Sequence, residues 1–151
     1  MPRDPSAPPL LRDEKLLAKL VNRLDRIAAV LARTPEVVVD IAFEDGVFFV
    51  VVENVGTASA YNVSVRFKPP LRGLGGEKAV SEMPLFRRIP FMPPGKRIRT
   101  VLDTSTAYFA SGAPTAIGAG VVYADKGKRR YKDVFHHDLS IYRDVGYLPR
   151  G

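Results

Sequence analysis

The chain has 151 residues, 46% hydrophobic and 26% charged, with 23 basic and 16 acidic side chains and no cysteine. That is room for one ordinary domain with an appendage and a core of useful size, and it excludes disulfides, thiolate zinc sites and a cysteine nucleophile. The net charge of +7 admits an anionic partner without requiring one.

No apolar run approaches the roughly 18 residues of a membrane-spanning helix. Met1-Pro2-Arg3-Asp4-Pro5 lacks the apolar core of a signal peptide, so the expected address is the cytoplasm, with a peripheral place on a membrane surface left open. There is no glutamine, only three asparagines, and arginine exceeds lysine by 15 to 8. Few labile amides beside many charges suit a thermophile, and a GC-rich genome would account for the arginine and the 13 prolines equally well.

Residues 1–9, rich in proline and small side chains, read as a flexible leader. From residue 10 to 33 the pattern is helical: Leu10, Leu17, Leu20, Leu24, Ile27 and Leu31 follow 7, 3, 4, 3, 4 spacing and share one stripe. The last repeats form a heptad seam, with Asp13 interrupting its start. Asp13 and Glu14 near the beginning and Arg33 at the end suit the helix dipole, and Pro35 blocks continuation.

The period then changes from 3.6 to 2. Residues 37–44 and 47–53 flank Asp45-Gly46, a two-residue turn that predicts a hairpin. Residues 61–68 alternate apolar and polar until Pro69-Pro70 stops them. A loop of about twenty residues with Gly73, Gly75 and Gly76 follows, its glycine-rich 72–77 part read as mobile. Ile89-Pro90-Phe91-Met92 can only be an edge strand or none, and Pro93-Pro94-Gly95-Lys96 has type II turn chemistry. Further strands are expected at 96–103, 115–124 and 129–140, the last two joined by Asp125-Lys126-Gly127-Lys128, with no helices interleaved. The predicted fold is mainly β: an immunoglobulin-like antiparallel β-sandwich of six or seven strands over residues 35–142, preceded by one amphipathic α-helix and followed by a tail at 143–151. Gly118 and Gly120 weaken their strand and suggest a bulge or a close backbone approach.

Glu53-Asn54-Val55-Gly56-Thr57-Ala58-Ser59-Ala60-Tyr61-Asn62-Val63-Ser64-Val65 combines a strand, Asn-x-Gly and Ala-x-x-Val-x-Val. It resembles a corner of prokaryotic immunoglobulin-like modules of the cell-adhesion-related type. It is also similar to sandwich domains of uncharacterised bacterial proteins, in which a helical segment precedes the sandwich and a Pro-Pro-Gly-Lys turn recurs. The resemblance implies a fold and a role as a binding or spacer module, and brings no catalytic residues. At this corner Gly56 is expected at positive φ, and Ala60 leaves room where the strand re-enters the core.

Residues for chemistry are scarce. The only histidines, His136 and His137, are neighbours on a strand, so they point to opposite faces and cannot share an ion or a site. One is expected outward and the other partly packed. The glycine-rich 72–77 segment lacks the Lys-Ser/Thr and the helix of a phosphate loop, and no carboxylates pair for acid–base work. No enzyme activity, cofactor or metal is expected.

Two surfaces remain. In the predicted hairpin, Val39, Ile41, Phe43, Phe48, Val50 and Val52 share the core face. The opposite face, polar on a free sandwich, instead carries Val38, Val47, Phe49 and Val51 as an exposed apolar patch of the kind that marks a contact. The expected function is a protein-interaction or assembly module that self-associates or docks on a protein partner through Leu17, Leu20, Leu24, Ile27 and Leu31, with the 71–88 loop and the apolar face as further contacts. Binding of nucleic acid or an anionic surface through Lys126, Lys128, Arg129, Arg130 and Lys132 ranks behind it. Hairpin tips also carry cations to prevent edge pairing, and residues 35–151 hold 16 basic against 12 acidic side chains, a diffuse excess.

Overall fold

A computed structural model describes the backbone of residues 9–31 and 33–145, and the side chains of 13–27 and 33–145. The chain divides into two compact units, Met1–Arg33 and Thr34–Gly151. Residues 1–8 of the expected leader and 146–151 of the tail lie outside the described residues.

In the first unit, helix α1 spans Pro9–Leu31, starting one residue before and ending two before the predicted bounds. Proline suits the first helical position because its missing N–H would have no intrahelical partner there. With this start, no acidic residue falls in the first turn and no basic residue in the last, so the expected dipole pairing is not made. What distinguishes the helix is its apolar stripe.

The second unit has seven strands: β1 (Val37–Glu44), β2 (Val47–Asn54), β3 (Ala60–Lys68), β4 (Ile89–Met92), β5 (Arg97–Thr104), β6 (Ala116–Ala124) and β7 (Arg130–Asp138). They form two antiparallel sheets, ordered β1-β2-β5 and β4-β3-β6-β7. This is an immunoglobulin-like sandwich in which the fourth strand extends the second sheet. Asp45 and Gly46 both take positive φ, 49° and 78°, the requirement of a type I′ turn. The hairpin register follows: Phe43 opposes Phe48, Ile41 opposes Val50 and Val39 opposes Val52. Val39, Ile41, Phe48, Val50 and Val52 are buried against Val63, Val65, Ala119 and Val121 of the other sheet. β4 is an edge strand, as Pro90 requires. Gly95 at φ 82° and the Lys96 N–H to Pro93 carbonyl bond of 3.0 Å complete the expected type II turn.

The expectation of no interleaved helices is corrected by α2 (Pro84–Arg87) and α3 (Ser105–Ala110), with short 3-10 turns at Val80–Glu82 and Leu139–Tyr142. Thr104 caps α3, its hydroxyl accepting from the Ala107 N–H at 3.2 Å. The 71–88 segment is anchored to the core on both sides of its glycines. Leu71, Val80 and Phe86 are buried core residues, and Phe86 meets Phe67 edge-on at 4.9 Å. A Cβ on Gly73 would lie 1.9 Å from the Leu102 carbonyl oxygen, so glycine there is a packing necessity. The Gly75 N–H donates to the buried Asp103 carboxylate at 2.9 Å, which places a protein anion where a phosphate would have to sit.

Tyr108 of α3 is the largest fully buried side chain, stacked edge-on against Phe48 and donating its hydroxyl to the Pro114 carbonyl. Burial, and secondarily the Asp103 charge, push its pKa up to about 12. The unfolded chain therefore loses this proton near pH 10 while the folded one keeps it, and stability falls as pH rises from about 10 to 12. Two units correspond to about 2–3 kcal/mol. Urea unfolding at pH 9 and 11.5 is expected to show that decline, and Tyr108→Phe, less stable at pH 9, is expected to flatten it.

Candidate interaction surfaces

On α1, Leu17, Leu20, Leu24 and Ile27 are all exposed, Leu17 to 64%. Leu31 closes the helix, and its side chain lies outside the described ones. Spacing assigns Leu17 and Leu24 to heptad position a and Leu20 and Ile27 to d. Leu16 and Val21, also exposed, flank this line at g and e and widen it beyond a two-residue seam.

The outer face of the β1-β2-β5 sheet is less open than expected. Val51 is buried at 2% exposure, and Val38, Val47 and Phe49 are half-buried. The reason is β5, whose pairing with β2 sequence pattern did not disclose. It seats Val51 between Asp40 and Arg99. The Arg99 guanidinium lies 4.3 Å from the Phe49 ring centroid and pairs with Glu44 at 2.9 Å. A cation stacked on the ring and clamped to a carboxylate covers Phe49.

The basic hairpin is divided by the strand alternation. Arg130 and Lys132 project from β7 onto the outer face of the four-stranded sheet, and Lys126 and Lys128 are exposed at the turn. Arg129 stays with the hairpin itself: its N–H donates to Asp125 at 2.9 Å and its guanidinium lies 5.6 Å from the Tyr131 ring centroid. Tyr131 stacks on Tyr123 and donates to Asp125.

The same outer face carries residues that sequence reading missed. Rows across β3, β6 and β7 run Lys68–Gly118–His136, Arg66–Gly120–Val134, Ser64–Val122–Lys132 and Tyr61–Ala124–Arg130. Where glycines replace side chains, a groove of about 460 Å³ opens between Arg66 and Lys68 on one side and Val134 and His136 on the other. Period 2 already put these side chains opposite the core in each strand. What was lacking was the register between β3 and β6, a pairing separated by about fifty residues.

Neither glycine is demanded by the fold. Neither has positive φ, pairing is continuous through both, and an added Cβ would meet nothing closer than 3.5 Å at Gly118 or 3.8 Å at Gly120. The expected bulge is therefore absent. Glycine inside a strand costs about 0.5–1 kcal/mol relative to alanine, so Gly118→Ala and Gly120→Ala are each expected to stabilise the protein by about that amount in urea titrations.

The histidines separate as expected for strand neighbours. His136 is exposed beside the groove, while the His137 Nε2 lies 2.9 Å from the Val39 carbonyl and fastens β7 to β1 across the sandwich. Asp138 accepts from the Ser140 N–H and hydroxyl, contacts that hold its pKa below the usual aspartate value. Among the described residues no group of three or more His, Asp or Glu side chains could hold a metal ion. No described helix is long and apolar enough to cross a membrane.

These features define an immunoglobulin-like sandwich preceded by one amphipathic helix. Residues 15–143 match the family model described as a domain of unknown function (DUF8453), and the chain belongs to that family. No curated protein and no solved structure matches it.

Proposed function

We propose that the protein is a non-enzymatic assembly module whose N-terminal helix self-associates with copies of itself and presents the sandwich. The observation that carries this reading is the exposed heptad line Leu17, Leu20, Leu24 and Ile27 on a helix of 23 residues. An isolated helix of that length needs a packed apolar face to be more than marginally stable in water, and a coiled coil of copies supplies one. The outer face of the β1-β2-β5 sheet is a secondary contact at most, because Arg99 covers Phe49 and Val51 is already buried. Sedimentation equilibrium of the full chain over a concentration series tests the proposal. Mass rising above that of one chain supports it; a single-chain mass throughout overturns it.

A further inference from the structure

The outer face of the β4-β3-β6-β7 sheet has two offset pairs of cations on either side of a low floor. β3 contributes Arg66 and Lys68, β7 contributes Arg130 and Lys132, and β6 between them presents glycine, alanine and one valine. The two cation pairs are offset along the sheet: Arg66 and Lys68 face Val134 and His136 across β6, whereas Lys132 and Arg130 face Ser64 and Tyr61. Strands two spacings apart are separated by about 10 Å, and successive cations on one strand by about 7 Å. An extended single strand crossing β6 from one pair to the other can follow this step with its phosphates, and the low floor leaves room for its bases.

Two rows beyond the groove, beside Ala124, lies an aromatic pair. Tyr61 and Phe91 lie with ring centroids 5.4 Å apart, and Phe91 is 50% exposed at the sheet edge. An exposed ring beside cations is a stacking surface for an unpaired base. Among the described residues none of the carboxylates nearby forms an ion pair with these cations. Asp138 is engaged by Ser140, Asp125 by Arg129 and Tyr131, and Glu82 stands at the outer margin beside Arg66 without an ion pair. Among the described residues the one ion pair is Arg99–Glu44, on the other sheet.

We infer that this face is a binding site for single-stranded nucleic acid, held by its phosphates on Arg66, Lys68, Arg130 and Lys132, with bases lying over the glycine floor and against Phe91. The site goes beyond the assembly role and does not depend on α1.

Fluorescence anisotropy of labelled fifteen-nucleotide oligo-dT and oligo-U with the full chain tests it. Binding is expected at low salt, with a log–log salt slope near −3 for about four phosphates at roughly −0.7 each. Arg66→Glu with Lys68→Glu, and separately Arg130→Glu with Lys132→Glu, are expected to weaken binding at least tenfold. Gly118→Val with Gly120→Val fills the floor, and Phe91→Ala removes the ring. Each is expected to weaken binding several-fold while circular dichroism shows the sandwich intact. Arg97→Glu, on the other sheet, is expected to leave binding unchanged. The inference is overturned if no binding is seen at low salt. It is also overturned if a duplex or polyglutamate competes as well as the single strand, or if Arg97→Glu weakens binding as much as the paired-cation variants. Should the glycine variant lose its fold, Phe91→Ala and the paired-cation variants decide.

Discussion

Asn54→Ala is expected to cost about 3–5 kcal/mol of stability, enough to consume a large share of a typical domain's total. Asn54 is fully buried at the end of β2. Its Oδ1 accepts from the N–H groups of Glu36 at 3.2 Å and Gly56 at 3.0 Å, and its Nδ2 donates to the carbonyls of Ala58 and Met92, both at 2.9 Å. One amide thus serves four backbone groups from the approach to β1, the β2–β3 corner and the end of β4. Its own backbone adds bonds to Gly95 and Lys96, so the corner and the Pro-Pro-Gly-Lys turn meet at this residue. Alanine would leave the Met92 carbonyl without its buried donor, and the other groups reachable only by water entering the corner. Asn54→Asp is no rescue, since a carboxylate would face two carbonyl oxygens where the amide now donates. Urea unfolding monitored by circular dichroism measures the loss; a change below about 1 kcal/mol would show that the corner is held by other contacts.

This corner marks where sequence reading stopped. The Asn-x-Gly signature was visible, and Ala60 is buried as expected, but the reason for Gly56 was not. Its φ is not positive. A Cβ there would lie 2.4 Å from both the Thr34 carbonyl oxygen and the Glu36 N–H nitrogen, so close approach of another segment excludes any side chain. Turns and hairpins were legible because their causes are local. Asp45-Gly46 needs positive φ at two consecutive residues, and the register of β1 on β2 follows from loop length alone. The cap of α3 was also local: Thr104 three residues before Ala107 is an N-cap signal that the strand pattern overshadowed. Val51 illustrates the other kind of feature. Alternation placed it correctly on the outer face, but its burial comes from Arg99 on β5, a partner that no local pattern identifies. The groove at Gly118 and Gly120 is of that kind too, since it exists only once β3 and β7 flank β6.

The second large effect is expected at the helix. Leucine at a, and leucine followed by isoleucine at d, departs from the β-branched a positions that favour parallel dimers. Apolar Leu16 and Val21 at the flanks extend the surface past what two helices can cover. Assembly of three or four chains is therefore expected rather than a dimer, and sedimentation equilibrium reads that number directly. Leu24→Asp removes a central a-position side chain worth about 2 kcal/mol per chain when buried. That alone weakens association about thirtyfold per chain, before the repulsion among aspartates brought together at one level of the bundle. The variant is expected to sediment as a single chain where the parent is assembled, with the strand content of the sandwich intact by circular dichroism. Leu24→Ile, which keeps the volume and the apolar contact, is expected to retain assembly. If Leu24→Asp leaves the assembled mass intact, the contact between copies lies on the sandwich and the helix stripe is not its cause.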